Sequence, residues 1–169
     1  ASAAGPDQTI CATTGTATMA ANNPGTGTGA WSQVSGPTTA TIANTALRTT
    51  GISAMTTAGT YVFRWTISNS PCVATTDDIS VFVTPATTVA AAGVDQTICL
   101  SSVSTTLAAN TAVNGTGAWS IVAGSPNTSL SQLSNAASPT ATFTPTATGT
   151  YTLRWTITNA PCATSTDDV

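Results

Sequence analysis

The sequence predicts an all-β protein made of two tandem antiparallel β-sandwich domains, and three observations support this prediction. A segment at residues 59–72, GTYVFRWTISNSPC, recurs at residues 149–162 as GTYTLRWTITNAPC. Within both copies, bulky apolar residues alternate with other residues, the period of two expected of a strand with one buried face. The composition is rich in threonine, a β-branched residue that favours strands, and contains no Lys, Glu or His.

The first repeat divides into seven short segments separated by turn residues, as in an antiparallel sandwich. The turn at Asn23-Pro24-Gly25 precedes the third of them, and the turn at Asn69-Ser70-Pro71 ends the core strand. The expected strands are 7–10, 16–21, 30–34, 39–42, 46–50, 61–68 and 78–83.

The second repeat aligns with the first through AGPDQTIC and AGVDQTIC, and through GTGAW in both copies. Its expected strands are 95–98, 104–109, 118–122, 140–144 and 151–158. The sequence stops at Val169, where we expect the closing strand to begin, so the second domain is predicted to lack its last strand. A window cut from a longer array is the favoured explanation, and a strand donated by a neighbouring molecule is the alternative. We therefore divide the chain into a repeat at 1–84, a linker at 85–91 and a truncated repeat at 92–169.

The four cysteines fall one pair to a repeat, which predicts one disulfide within each domain. We expect Cys11 to bond Cys72 and Cys99 to bond Cys162. The absence of histidine and of any C-x-x-C spacing argues against zinc. Paired disulfides indicate an oxidising compartment outside the cytoplasm.

Six aromatic residues are predicted to form the structural core rather than a platform for stacking sugars. The two tyrosines stand at the start of the core strand, where we expect each hydroxyl to bond nearby backbone. The predicted core residues are Trp31, Tyr61, Trp65, Trp119, Tyr151 and Trp155.

The charge pattern excludes several classes of function. Charged residues make up 5% of the chain and the net charge is -3, so no basic patch is available for nucleic acid. No apolar run reaches the length of a membrane span. With no His, Lys or Glu and with the cysteines paired, we predict no enzyme activity and no cofactor.

The few charges have a structural interpretation. Arg64 and Arg154 are expected to reach Asp78 and Asp168 across the hairpin. The paired aspartates at 77–78 and 167–168 are too sparse for the six to eight oxygens that calcium takes, so no metal site is predicted.

The succession AG-DQTIC, GTGAW, GTY-RWTI-N-PC and TDD resembles the PKD-like, immunoglobulin-like repeats of very large surface and secreted proteins of gliding and related Bacteroidota, including gliding-motility-type adhesins. The resemblance covers essentially both repeats. It implies a seven-stranded sandwich, export from the cell and a role as stalk or adhesive filament. One departure is that the typical W-D-F-G-D-G signature is replaced by GAWSQV and GAWSIV.

These observations predict a non-catalytic repeat segment of an extracellular filament or adhesin stalk. Its expected partners are neighbouring repeats of the same protein or identical chains in a filament. One alternative is a module that binds surface glycan or protein through its loops, with the segment between Trp119 and Gly149 as the place to look. The other alternative is self-assembly by strand donation.

Overall fold

The computed structural model describes residues 1–99 and 104–169, and it confirms the all-β fold class. The chain divides into two compact units, unit 1 (Ala1–Ala86) and unit 2 (Thr87–Val169). Within the described residues, the regular structure consists of strands and one short 3-10 turn, Leu130–Gln132.

Unit 1 is a sandwich of two sheets. The first sheet has the order β1-β7-β6-β3 and the second the order β2-β5-β4. All neighbouring strands are antiparallel except β1 and β7, which are parallel. The strands are β1 (Gln8–Cys11), β2 (Ala17–Ala20), β3 (Thr28–Ser35), β4 (Thr41–Ile42), β5 (Thr49–Ser53), β6 (Gly59–Asn69) and β7 (Cys72–Thr84).

The core of unit 1 lies between these sheets and follows the predicted alternation. Tyr61, Phe63 and Trp65 of β6 are fully buried, whereas the residues between them are only half-buried. Met19 and Ile52 from the second sheet belong to the same buried cluster. Period-two burial along β6 thus forms the centre of the domain.

Unit 2 repeats this plan with shorter strands. One sheet has the order β12-β11-β9, and β10 pairs with β8. A single bridge between Leu133 and Phe143 extends the smaller sheet. The strands are β8 (Thr105–Thr106), β9 (Thr116–Ile121), β10 (Thr142–Phe143), β11 (Leu153–Asn159) and β12 (Cys162–Asp168).

The closing strand starts earlier than expected, so unit 2 has the first half of a strand that the sequence predicted to be missing altogether. In both units the strand resumes directly after the turn, where Asn69 pairs with Cys72 and Asn159 with Cys162. The first half of this strand is threonine-rich and exposed. It therefore shows no apolar alternation, and the sequence pattern missed it.

The strand expected at 95–98 is not formed. In unit 1 the corresponding β1 pairs with residues 81–84 of β7. The counterparts of those residues would follow Val169 and are not part of this sequence, so the segment has no ladder partner.

Most of the residues expected to form the linker belong to unit 2, which begins at Thr87. Ala90 lies in its buried cluster, and the Ala90 amide donates to Ser165 Oγ at 2.9 Å. The Ala91 amide donates to Asn110 Oδ1 at 2.9 Å.

Candidate functional site

A pair of tryptophans forms the centre of each unit. Trp31 and Trp65 face each other across β3 and β6, with ring centroids 5.1 Å apart and planes inclined at 46°. Trp119 and Trp155 repeat the arrangement at 5.1 Å and 49°. All four rings are buried. Buried in this way, they offer no exposed platform for stacking a sugar.

Each tryptophan pair depends on a glycine of the GTGAW motif. A Cβ added to Gly29 would lie 2.0 Å from Cζ2 of Trp65, and one added to Gly117 would lie 2.1 Å from Cζ2 of Trp155. The GTGAW motif therefore has two roles in the pair. Its tryptophan is one of the two rings, and its second glycine leaves room for the other ring.

The indole N–H groups of the pair differ. Trp31 and Trp119 donate to the backbone carbonyls of Arg48 and Ser138 at 3.4 and 3.0 Å. The buried Nε1 atoms of Trp65 and Trp155 have no hydrogen-bond partner among the described residues. The same unsatisfied donor in both copies shows that close ring packing is kept in spite of its cost.

Both tyrosines bond backbone four residues upstream, in line with the sequence expectation. The Tyr61 hydroxyl donates to the Thr57 carbonyl at 3.2 Å and lies 2.7 Å from Thr38 Oγ1. The Tyr151 hydroxyl accepts the Ala147 amide at 3.3 Å. Each hydroxyl thereby ties the start of the core strand to the preceding loop.

Aspartates of the closing strand hold the first residues of each unit. Asp77 Oδ2 accepts the Ala4 amide at 2.7 Å, and Asp167 Oδ2 accepts the Ala92 amide at 2.7 Å. The two alanines are buried. These carboxylates are therefore occupied in satisfying buried backbone donors.

Two asparagines complete this clamp on the N-terminal segments. Asn22 Oδ1 accepts the Ala3 amide at 2.9 Å, and the Asn22 amide group donates to the Ala1 carbonyl at 2.9 Å. Asn110 makes the equivalent bonds to Ala91 and Val89 at 2.9 Å. The sequence analysis did not single out these residues, although their identity at corresponding places in the two repeats was a usable signal.

The expected arginine–aspartate pairs are present in both hairpins. Arg64 donates from Nε and Nη2 to Asp78 at 2.6 and 2.8 Å, and Arg154 makes the same two bonds to Asp168 at 2.7 Å. Hydrogen bonds from Arg64 lower the pKa of Asp78. Desolvation opposes this effect, and the positive charge of Arg64 adds a smaller lowering. The pKa of Asp168 is lowered by Arg154 in the same way.

The predicted disulfide pairing was wrong. Cys11 and Cys162 are disulfide-bonded, whereas Cys72 and Cys99 are free, exposed thiols in the described part of the chain. The reason in unit 1 is that β1 runs parallel to β7, so Cys11 pairs with Thr84, twelve residues beyond Cys72. Twelve strand residues span about 40 Å. A disulfide needs Cα atoms within about 7 Å, so Cys11 and Cys72 cannot join.

An apolar groove opens in unit 2 near its last residue. It has a volume of about 340 Å³. In unit 1, Val81 and Val83 of β7 are buried and pair with the start of β6, the strand whose repeat counterparts Gly149, Tyr151 and Leu153 line the groove in unit 2. The groove is lined by Leu107, Phe143, Tyr151, Leu153 and Val169, together with polar residues that include Gln96, Thr97 and Thr105.

The segment between Trp119 and Gly149 is internally bonded. Gln132 is buried, and its side chain donates to the carbonyls of Asn127 and Ser129 and accepts from Thr146. These bonds connect residues within the segment to one another. A loop that binds glycan or protein stays a prediction.

The described residues contain no group of three or more Cys or Asp side chains placed to hold a metal ion. No helix among them is long and apolar enough to cross a membrane.

Residues 4–83, nearly all of unit 1, match the family model described as K319L-like, PKD domain. No curated protein matches the sequence. Together with the duplicated fold, the family match supports PKD-like, immunoglobulin-like repeats, as the sequence resemblance implied. Domains of this class are typically extracellular structural modules without catalytic activity.

Solved structures share the fold at low identity. Extracellular domains 3–5 of Drosophila OTK are 12% identical with a TM-score of 0.53, over 97% of this chain and 57% of that one. The insect immune protein hemolin is 11% identical with a TM-score of 0.51, over 98% and 44%. The PKD domain of the KIAA 1837 protein is 19% identical with a TM-score of 0.44, over 50% and 85%. The chain thus spans about half the length of the first two.

Proposed function

We propose that this chain is a structural repeat segment of an extracellular filament or adhesin stalk on a bacterial surface, without catalytic activity. The observation that carries the proposal is the duplication of four stabilising contacts. The tryptophan pair, the tyrosine hydroxyl, the aspartate clamp and the bidentate ion pair occur in both units with nearly the same distances. Repetition of the same contacts fits a spacer built from like repeats, in which each repeat must fold on similar terms.

Strand order in unit 1 supports a role under tension. Its first strand, β1, and its last, β7, are parallel neighbours over four residue pairs, Gln8–Val81 to Cys11–Thr84. A pull between the two ends of the unit therefore loads the hydrogen bonds of this pair together, in shear. Shear of several bonds at once resists force better than opening them one by one.

The chemistry of the side chains supports the absence of catalysis. Arg64 and Arg154 are held by Asp78 and Asp168, and the oxygens of Asp77 and Asp167 accept backbone amides. For hemolin, the arrangement of its domains has implications for homophilic adhesion. Adhesion through repeats of the same kind is consistent with the proposed role.

Labelling of the source cells tests this proposal. An antibody raised against the chain is expected to label unpermeabilised cells, and to detect on reducing gels a polypeptide much larger than the 16.7 kDa of this sequence. Labelling only after permeabilisation would overturn the extracellular role. A single band at 16.7 kDa would overturn a covalent array.

The groove of unit 2 favours a second candidate, self-assembly in which another copy supplies a strand. In unit 1 the strand that fills this place carries Ile79, Val81 and Val83 on its buried face. A strand of this alternating type from a second copy fits an apolar groove lined by Leu107, Phe143 and others.

Light scattering under reducing conditions tests strand donation without interference from disulfides. Donation predicts oligomers that a synthetic peptide of residues 79–84 dissociates, because the peptide competes for the groove. A chain that stays monomeric over a wide range of concentrations would exclude strand donation. The structural repeat segment would then be the remaining candidate.

A further inference from the structure

The four cysteines are of two types, and each type occurs once bonded and once free. The opening cysteines, Cys11 and Cys99, end the AG-DQTIC motif, and the turn cysteines, Cys72 and Cys162, follow the Asn-x-Pro turn. Cys11 and Cys162 are disulfide-bonded and buried, with 4% and 8% of their surface exposed. Cys72 and Cys99 are free and exposed.

The two types lie at opposite ends of the repeat. In unit 1, Cys72 is the first residue of β7, and Cys11 pairs with Thr84, the last residue of β7. In unit 2, Cys162 begins β12. The opening segment of unit 2 keeps the position that it has in unit 1. The Gln96 side chain donates to the Thr106 carbonyl at 3.1 Å, and the Gln8 side chain makes the corresponding bond to the Thr18 carbonyl at 2.9 Å.

We propose that Cys72 and Cys99 are also disulfide sites, and that each bonds a cysteine of the opposite type in another copy of the repeat. Two observations carry the proposal together. The repeat counterpart of each free thiol is bonded in this same structure, and the two bonded cysteines comprise one of each type. Distance along β7 excludes a bridge within unit 1, so the partner lies in another repeat.

The chemistry is an ordinary thiol–disulfide exchange with a disulfide oxidant, such as oxidised glutathione or a disulfide-bearing oxidoreductase. A thiolate attacks the oxidant and forms a mixed disulfide, and the second cysteine thiolate then displaces the oxidant's sulfur. Two S–H bonds are lost, one S–S bond forms, and the two protons and two electrons convert the oxidant to two thiols. An oxidising compartment permits this bond to persist.

The test uses the 169-residue chain and two single variants, Cys72→Ser and Cys99→Ser, with oxidised glutathione as the oxidant. The wild-type chain is expected to form a ladder of oligomers on non-reducing gels, which collapses to one band with reductant. Each single variant alone is expected to stay monomeric. A mixture of the two variants is expected to give a dimer and nothing larger, because one supplies Cys99 and the other Cys72.

Matched controls keep each outcome decisive. The double variant Cys72→Ser, Cys99→Ser should remain monomeric, and tryptophan fluorescence reports that all variants are folded. Homodimers of a single variant would overturn pairing of opposite types. Loss of both free thiols in the wild-type chain without oligomers, or glutathione adducts alone, would overturn bonding between copies.

Tryptic mapping identifies the bonded residues, since the chain has only three basic residues, Arg48, Arg64 and Arg154. Cys72 and Cys99 share the peptide 65–154, so the proposed bond joins two copies of that peptide. The inference deepens the proposed filament role, which supplies the oxidising setting, but oxidation in vitro does not depend on it. Labelling only inside the cell would thus refute the filament role. The absence of oligomers on non-reducing gels would refute the bond, whatever the labelling shows.

Discussion

Gly29 and Gly117 show how one absent methyl group determines the packing of a core. Each lies opposite the six-membered ring of a buried tryptophan, at a distance where no side chain fits. The GTGAW motif is therefore a packing motif, in which small and large residues on neighbouring strands are matched.

Gly29→Ala is predicted to destabilise unit 1 by about 2–3 kcal/mol, because the added Cβ would lie 2.0 Å from Cζ2 of the buried Trp65 ring. Urea unfolding followed by tryptophan fluorescence measures the change. Gly51→Ala is the matched control, since a Cβ at Gly51 meets nothing within 4 Å. Equal stability of the two variants would contradict the packing role of Gly29.

Asp77→Ala is predicted to cost about 1–3 kcal/mol, because the buried Ala4 amide would lose its acceptor. Asp77→Asn, which keeps an acceptor oxygen, should recover most of the loss. Chemical denaturation measures both variants. If the asparagine variant is as unstable as the alanine variant, the hydrogen bond is not the cause.

The Arg64–Asp78 pair is predicted to make stability depend on pH. Because the pKa of Asp78 is lower in the folded state than in the unfolded chain, its contribution is present above the unfolded pKa and is lost as the pH falls through the folded pKa. The difference in Tm between wild type and Asp78→Asn should therefore be present at neutral pH and shrink below about pH 4.

The difference should be small, since the two side chains are 41% and 39% exposed. Added salt should reduce it further. A difference that is unchanged at about pH 2, well below the ordinary pKa of an aspartate, would show that the substitution acts through something other than charge.

At the scale of elements, the hairpin of β6 and β7 and the parallel pair of β1 and β7 define unit 1. The hairpin sets which residues face the core, and its turn carries one cysteine. The parallel pair brings the opening strand to the far end of β7. These two pairings separate the cysteines of one repeat, and so determine which disulfides are possible.

Single-molecule force spectroscopy on unit 1, pulled between its ends, tests the mechanical role of β1. Ala12→Pro removes the amide that donates to the Thr84 carbonyl at 2.9 Å, at the end of the parallel pair, so the unfolding force should fall. Ala12→Ser is the matched control, because serine keeps the backbone amide. An unchanged force in the proline variant would show that resistance lies elsewhere.

At the scale of the whole molecule, the two units differ mainly because this sequence holds no counterpart of residues 80–84 for unit 2. Without that half of the closing strand, residues 95–98 form no strand and an apolar groove is exposed. Both differences have one cause, the absent neighbour strand.

Extending the chain after Val169 with Ser-Val-Phe-Val-Thr, the sequence of residues 80–84, is predicted to complete unit 2. Burial of two valines should add about 3 kcal/mol or more. For a domain of this size, that is a rise in Tm on the order of 10 °C. Hydrogen exchange should show new protection at residues 95–98. An extension of Ser and Gly is the control, and equal protection in both would contradict the explanation by a missing ladder partner.

Much of this architecture could be predicted from local patterns. Alternation along residues 61–67 identified the core strand, and the repeated motifs identified two domains. The pairing of Arg64 with Asp78 could be predicted because the length of a hairpin turn determines which residues lie opposite each other on its two strands. Asn22 and Asn110 were missed because their partners are backbone groups far away in the chain, which leave no local pattern.

The sequence by itself determined the β class, the twofold repetition, the aromatic core and the ion pairs, because each depends on short-range alternation or on a single turn. Only the tertiary structure decided the disulfides and the extent of the closing strand. Those depend on which distant strands become neighbours and in which direction they run. Parallel pairing of β1 with β7 places Cys11 about 40 Å from Cys72, a separation that spacing along the chain does not encode.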